Sequence, residues 1–250
     1  MCHQSEDVAG YGVPEERQVE FAGSGHAIPA YTYGYDPRAE RPKPTVIILH
    51  DVFGAGTFYR DMGKRLADAG FAVILPDLFV REGPLANHSR EAAFARSGKH
   101  SFPVAIEDIR AIVDTLTTEG RSVGVIGFCM GGTLALLAAS RIPQLKAAVV
   151  YYGFPVNTRP SANRPYSPIE EVGQLHAPVL GFFGEEDAGV GPNNVRKYEA
   201  AAKQAGKAID VTIYPGVGHG FLTFASEGPA AQPSRESWAR AVQFLKEQLG

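Results

Sequence analysis

The most chemically informative segment of the chain is Gly127-Phe128-Cys129-Met130-Gly131, which follows the apolar run Val123 to Ile126 and opens a helical pattern through Leu134, Leu137 and Ala138. This order spells strand, tight turn, helix. A nucleophile on such a turn is held in a strained backbone conformation, and small neighbours are needed where the helix closes on the sheet. Gly127 and Gly131 meet that need, and Gly132 adds room. The first N–H groups of the helix point at the reacting centre, favour negative charge there and lower a thiol pKa. Cys129 therefore reads as a nucleophile rather than as a small buried apolar residue.

A nucleophile needs a base, and the base needs an acid to orient it. Asp187 lies in Gly184-Glu185-Glu186-Asp187 after the run Val179 to Phe183, with Glu185 and Glu186 as rivals. His219 follows Val211 to Tyr214 in the loop Pro215-Gly216-Val217-Gly218-His219-Gly220-Phe221. Each residue stands just past a strand, in the order nucleophile, acid, base. In this reading His219 takes the thiol proton and delivers it to the leaving group, while Asp187 holds the imidazole tautomer. The oxyanion donors would be the N–H of Met130 and, from His50-Asp51-Val52-Phe53-Gly54 after an early strand, the N–H of Val52.

These residues need a scaffold that gathers strand ends. From Thr45 onward, apolar β-branched runs alternate with helical periodicity, the signature of a mainly parallel sheet flanked by helices on both faces. The strands expected are Thr45 to Leu49, Ala72 to Leu75, Ser122 to Ile126, Lys146 to Tyr151, Pro178 to Phe183 and Ile209 to Tyr214. Val19 to Phe21 and Ala30 to Tyr35 would add antiparallel strands at one edge. Helices are expected at Tyr59 to Ala69, from Pro103 to Leu116, Gly131 to Ser140, Asn193 to Ala205 and Ser234 to Gln248, with Ser234 as the N-cap of the last. The Pro/Gly-rich connections Pro76 to His88, Gly153 to Pro168 and Gly184 to Pro192 should surround the ligand.

At 250 residues with 44% hydrophobic and 20% charged residues, the chain fits one globular α/β domain over 1–250, with 1–16 as a poorly ordered or peripheral segment. A net charge of -3 and the lack of a Lys/Arg stripe argue against nucleic acid. Two cysteines, Cys2 and Cys129, give no disulfide framework, and no apolar run is long enough for a membrane span. A cytoplasmic monomer or homodimer is expected. Cys2 and His3 find no further metal ligands at suitable spacing, so no metal is expected.

Taken together, His50 to Gly54, Pro76-Asp77-Leu78, Gly127 to Gly132, Tyr151-Tyr152-Gly153, Gly184 to Asp187 and Gly218 to Phe221 resemble the dienelactone hydrolase (carboxymethylenebutenolidase-like) family from about Thr45 to the end. The resemblance implies an α/β-hydrolase fold, no cofactor, and attack on an ester or lactone carbonyl by cysteine. It implies that Asp51, often glutamate in the family, pairs with the resting thiol and releases it when substrate arrives. It also implies arginines that hold a substrate carboxylate; the position four residues after the histidine is Thr223 here, and Arg81, Arg90 and Arg96 are candidates for the other, Arg81 foremost. Phe53, Phe128, Phe154, Tyr152 and Phe221 are candidates to line an apolar pocket suited to a neutral ester or lactone. A thioesterase or acyltransferase on the same triad, or a ligand-binding protein of this fold with little turnover, are the alternatives.

Overall fold

The computed structural model describes residues 16–250; the expectations for Cys2, His3 and all but the last residue of the peripheral segment 1–16 lie outside the described residues. Eight strands form one sheet: β1 (Arg17–Ala22), β2 (Ala27–Tyr33), β3 (Thr45–Leu49), β4 (Ala72–Pro76), β5 (Val123–Phe128), β6 (Ala147–Tyr151), β7 (Val179–Gly184) and β8 (Ile209–Tyr214). Their spatial order is β1-β2-β4-β3-β5-β6-β7-β8. The pairs β1/β2 and β2/β4 are antiparallel, and β4 through β8 run parallel. β3 to β7 are buried along their whole length, which explains why they read as unbroken apolar runs rather than alternating ones.

Helices α1 (Thr57–Asp68), α2 (Arg90–Lys99), α3 (Phe102–Thr118), α4 (Met130–Arg141), α5 (Pro192–Gln204) and α6 (Ala231–Leu249) complete the order, with a 3-10 segment at Pro168–Gln174. α1 and α6 cover one face: Tyr59 of α1 meets Phe128 of β5, and Gly124 of the same strand faces Leu245 and Leu249 of α6. α4 packs on the opposite face, where Gly127 meets Gly131 and Ala135, and it contacts both α3 and the 3-10 segment, which in turn packs against α5. The chain places β4 on one side of β3 and then β5 on the other, so the connections leave β3 and β5 in opposite directions. A crevice opens at the carboxyl ends of two such strands. The loop starting at His50 and the turn at Cys129 border it, since Leu49 is in register with Gly127. No helix among the described residues is long and apolar enough to cross a membrane.

Two features differ from the sequence-based expectation. The last helix begins at Ala231, so Ser234 lies in its first turn and is not its N-cap. Its hydroxyl instead donates to the Phe221 carbonyl (3.0 Å) and accepts from the Thr223 N–H (2.9 Å), pinning the segment that follows His219. Helix α2 was unforeseen because only Ala93 and Ser97 are buried along it, too few to make an apolar stripe.

The β5-α4 turn has no room for a side chain at Gly131. A Cβ there would collide with the Leu49 backbone and stand 2.6 Å from the His50 carbonyl oxygen. Gly131→Ala should therefore lower the free energy of unfolding in urea by about 1–3 kcal/mol. Gly173→Ala, where a Cβ meets nothing within 4 Å, should be close to neutral. Equal effects of the two substitutions would contradict the packing of this turn.

Candidate active site

Cys129 sits between β5 and α4 with φ 54° and ψ -114°, a conformation that non-glycine residues rarely adopt. Hydrogen bonds on both sides of the residue hold it there. Its N–H donates to the Tyr151 carbonyl (3.0 Å), and its own carbonyl accepts from the Thr133 N–H (3.1 Å) and hydroxyl (3.3 Å). The side chain is buried yet borders a cavity of about 460 Å³. Helix α4 starts at the next residue, so its positive end meets the sulfur.

Asp187 and His219 arrive from the ends of β7 and β8. Asp187 Oδ2 lies 2.7 Å from His219 Nδ1, while Oδ1 accepts from the N–H groups of Gly189 (3.1 Å) and Val190 (3.0 Å). The buried carboxylate is thereby immobilised, and Nδ1–H becomes the donor that leaves Nε2 basic. Tyr152 and Phe154 flank the imidazole at ring separations of 5.1 and 5.6 Å. Both Asp187 and His219 border the same cavity as Cys129. The rival Glu185 is exposed and absent from the cavity wall, and Glu186 sits exposed at its rim.

The early loop is built around His50. Its Nε2 accepts from the Leu78 N–H (3.1 Å), which fixes the proton on Nδ1, and Nδ1–H donates to the Asp51 carbonyl (2.8 Å). Asp51 Oδ1 accepts from the Phe53 N–H (2.8 Å), and Arg96 donates to the Val52 carbonyl (3.1 Å). These bonds fix the peptide planes around Val52. The N–H groups of Val52 and Met130 donate to no described residue, and both residues border the cavity. Asp51 is fully buried and does not line the cavity.

The expected substrate-binding residues fare differently. Arg81 does not reach the cavity: it grips both carboxylate oxygens of Asp108 (2.5 and 3.0 Å) and the Ser24 carbonyl (2.7 Å), tying α3 to the β1-β2 hairpin. Phe128 is core, stacked on Tyr151 at 5.1 Å, and Phe221 is buried among Tyr151, Tyr152 and Tyr214. Tyr152 is fully buried and backs His219 rather than facing substrate. Phe53 faces a separate hollow beside Tyr31 and Leu85. Of the aromatic set, Phe154 alone borders the cavity.

The cavity wall comes instead from α2, through Arg90, Phe94 and Ser97, and from the 153–168 connection, through Phe154, Arg159, Arg164 and Tyr166. Arg90, Arg159 and Arg164 form no ion pair with a described residue, so the wall is cationic as well as aromatic. The expectation was an apolar, aromatic lining with one arginine from among Arg81, Arg90 and Arg96; of these three only Arg90 borders the cavity. The 153–168 connection, Phe154 and Arg90 were already expected near the ligand, while weak periodicity in α2 and irregular backbone in the connection hid the others. Among the described residues no three His, Cys, Asp or Glu side chains gather as a metal site.

Comparison with known proteins places this geometry in context. A family model described as "Dienelactone hydrolase family" matches residues 28–249. A carboxymethylenebutenolidase of Rhodococcus opacus is 33% identical over 208 residues, covering 82% of this chain and 81% of the relative. A crystal structure from Klebsiella pneumoniae, assigned as a dienelactone hydrolase, superposes with a TM-score of 0.83 at 28% identity, covering 93% of this chain and 98% of the other. An esterase of Pyrobaculum calidifontis shares the fold at a TM-score of 0.71 and 21% identity, covering 94% and 86% of the two chains.

The buried His50 makes the early loop sensitive to acid. Burial lowers its pKa from the ordinary 6.5 to about 4, so the unfolded chain binds this proton at higher pH than the folded one. Its contribution to stability is whole above pH 6.5 and is lost as pH falls toward about 4, by on the order of 3 kcal/mol. Urea unfolding between pH 7 and pH 4.5 should show a steeper loss in the wild type than in His50→Gln. Equal slopes would contradict a neutral His50 in the fold.

Proposed function

Because the chain belongs to the dienelactone hydrolase family, and is with it a lactone or ester hydrolase, we propose that it works through a covalent thioester on Cys129, with His219 as general base and acid and Asp187 as its orienting partner. The observation that carries this reading is the 2.7 Å Asp187-His219 pair opening onto the cavity that Cys129 borders at a strained strand-to-helix turn. The thiol gives its proton to His219 Nε2, and the sulfur attacks the carbonyl carbon. The oxygen that becomes negative is received by the N–H groups of Met130 and Val52, donors that no described residue engages. Collapse of the tetrahedral adduct breaks the ester C–O bond, and His219 returns the proton to the departing oxygen. In a lactone that new hydroxyl stays attached to the acyl group. Water, deprotonated by His219, then attacks the thioester, and Cys129 leaves with its proton restored.

The cavity of about 460 Å³ suits a small substrate. The arginines on its wall favour one that carries a carboxylate, which is the chemistry in the name of the Rhodococcus relative. A small carboxylate-bearing lactone is thus the substrate class this reading selects. Asp51 enters it as the acid that shapes the early loop through the Phe53 N–H, buried behind the cavity wall.

Hydrolysis of an activated aryl ester and of a carboxylate-bearing enol lactone tests the reading. Cys129→Ala should lose about 10⁴-fold or more in kcat/KM on both substrates, and Asp187→Asn about 10³–10⁴-fold, since the amide no longer fixes the useful tautomer. Cys129→Ala activity within tenfold of wild type would contradict the cysteine mechanism. A matched thioester cleaved far faster than its oxygen ester would redirect the substrate assignment toward acyl carriers.

A further inference from the structure

Arg164 differs from the other cationic residues of the cavity wall in being largely withdrawn from solvent, whereas Arg90 and Arg159 are exposed. It comes from the irregular 153–168 connection and is locked into place by the end of α2. Its Nη2 donates to both the carbonyl and the hydroxyl of Ser97 (2.5 Å each), and its guanidinium lies 5.0 Å from the Phe102 ring centroid. The neighbouring Asn163 fastens the same latch, donating through Nδ2 to the Gly98 carbonyl (3.1 Å) and accepting from the Phe102 N–H (2.8 Å). Ser97 in turn donates to the sulfur of Met130 (3.5 Å), the residue after Cys129. A half-buried cation is thus held within one side chain of the nucleophile's turn, bordering the same cavity.

No described carboxylate neutralises this charge; the partners of Arg164 are a carbonyl, a hydroxyl and a ring. Withdrawing a guanidinium from water without a counter-charge costs stability, which the hydrogen bonds to Ser97 offset only in part. Burial pushes its pKa down, and negative charge on Cys129 is what pushes it back up. The other ionisable groups around Cys129 are already committed or exposed. Asp187 is paired with His219, Asp51 caps Phe53, and Glu186, Arg90 and Arg159 stand at the solvent edge.

Resting on the reading of Cys129 as nucleophile, we infer that Arg164 is a positioning residue that supplies the counter-charge for the Cys129 thiolate, through the latch that joins the 153–168 connection to α2. The proton released from the sulfur goes to His219, and the resulting negative charge is shared between the start of α4 and the Arg164 guanidinium. The cation thereby makes the reactive thiolate more accessible before any substrate binds, and closure of the latch becomes a condition for full nucleophilicity.

The test is the pH dependence of Cys129 alkylation by iodoacetamide, a neutral reagent, in a Cys2→Ser background where Cys129 is the remaining thiol. At pH 6, Arg164→Gln should react roughly tenfold more slowly than the parent, while near pH 10 the two rates should converge because both thiols are then ionised. Arg164→Lys, which keeps the charge, should recover most of the low-pH rate. A deficit in Arg164→Gln that persists undiminished at pH 10 would mark altered access and overturn the inference. So would equal losses in the Gln and Lys variants, or no loss in either. Unchanged alkylation with KM raised for anionic lactones only would assign Arg164 to the substrate instead. Alkylation requires no turnover, so the result stands apart from whether Cys129→Ala abolishes hydrolysis.

Discussion

The backbone of Cys129, at φ 54° and ψ -114°, is the constraint around which the rest of the site is arranged. Such a conformation costs on the order of 1–3 kcal/mol at a non-glycine residue and survives only where its surroundings leave no alternative. Here Tyr151 and Thr133 hold the peptide groups on both sides, and Gly131 lies directly against the backbone of Leu49 and His50. Gly132 and Gly153 repeat the same close approach one residue further along. The strain turns the sulfur toward the crevice between β3 and β5 and starts α4 immediately behind it. Sheet order then does the remainder, since β3 delivers the Val52 loop while β7 and β8 bring Asp187 and His219 to the same carboxyl-terminal edge.

Charge within the site is distributed unevenly. Asp187 has each carboxylate oxygen engaged, by His219 on one side and by two backbone N–H groups on the other. The early loop is set by a neutral, fully buried histidine that accepts from Leu78 and donates to Asp51. In contrast, Arg90, Arg159 and Arg164 face the cavity without an ion-pair partner among the described residues. One fixed carboxylate orients the His219 imidazole, and cations without a carboxylate partner among the described residues line the space beside it. This division suits a reaction that develops charge on a sulfur and then on a carbonyl oxygen.

What could be read from the sequence follows how local each feature is. The Cys129 turn was legible because strand, glycines and helix are adjacent in the chain, and the buried strands were legible because both of their faces demand apolar residues. Asp187 and His219 could be found because each follows such a strand. The cavity wall was legible only in part: the 153–168 and 184–192 connections, Phe154 and Arg90 were anticipated, whereas Phe94, Ser97 and Arg164 were not. Helix α2 buries too little to show a period, and Arg164 is placed by hydrogen bonds to Ser97, 67 positions away. Arg81 seemed a substrate ligand until the bidentate Asp108 contact accounted for it. Phe128, Tyr152 and Phe221 beside the motifs proved to be core, because the strand ends that carry the motifs lie beneath the cavity rather than around it. Ser234 was assigned to the helix end nearest in sequence, when its hydroxyl serves the loop after His219.

The central claim is that the acyl group passes through Cys129. Rapid mixing with an activated aryl ester, acid quenching and peptide mapping by mass spectrometry addresses it most directly. The account predicts a single acyl group on the peptide containing Cys129, released by neutral hydroxylamine as a thioester should be. Steady turnover with Cys129 unmodified at every time point, or the acyl group on a different residue, would contradict it.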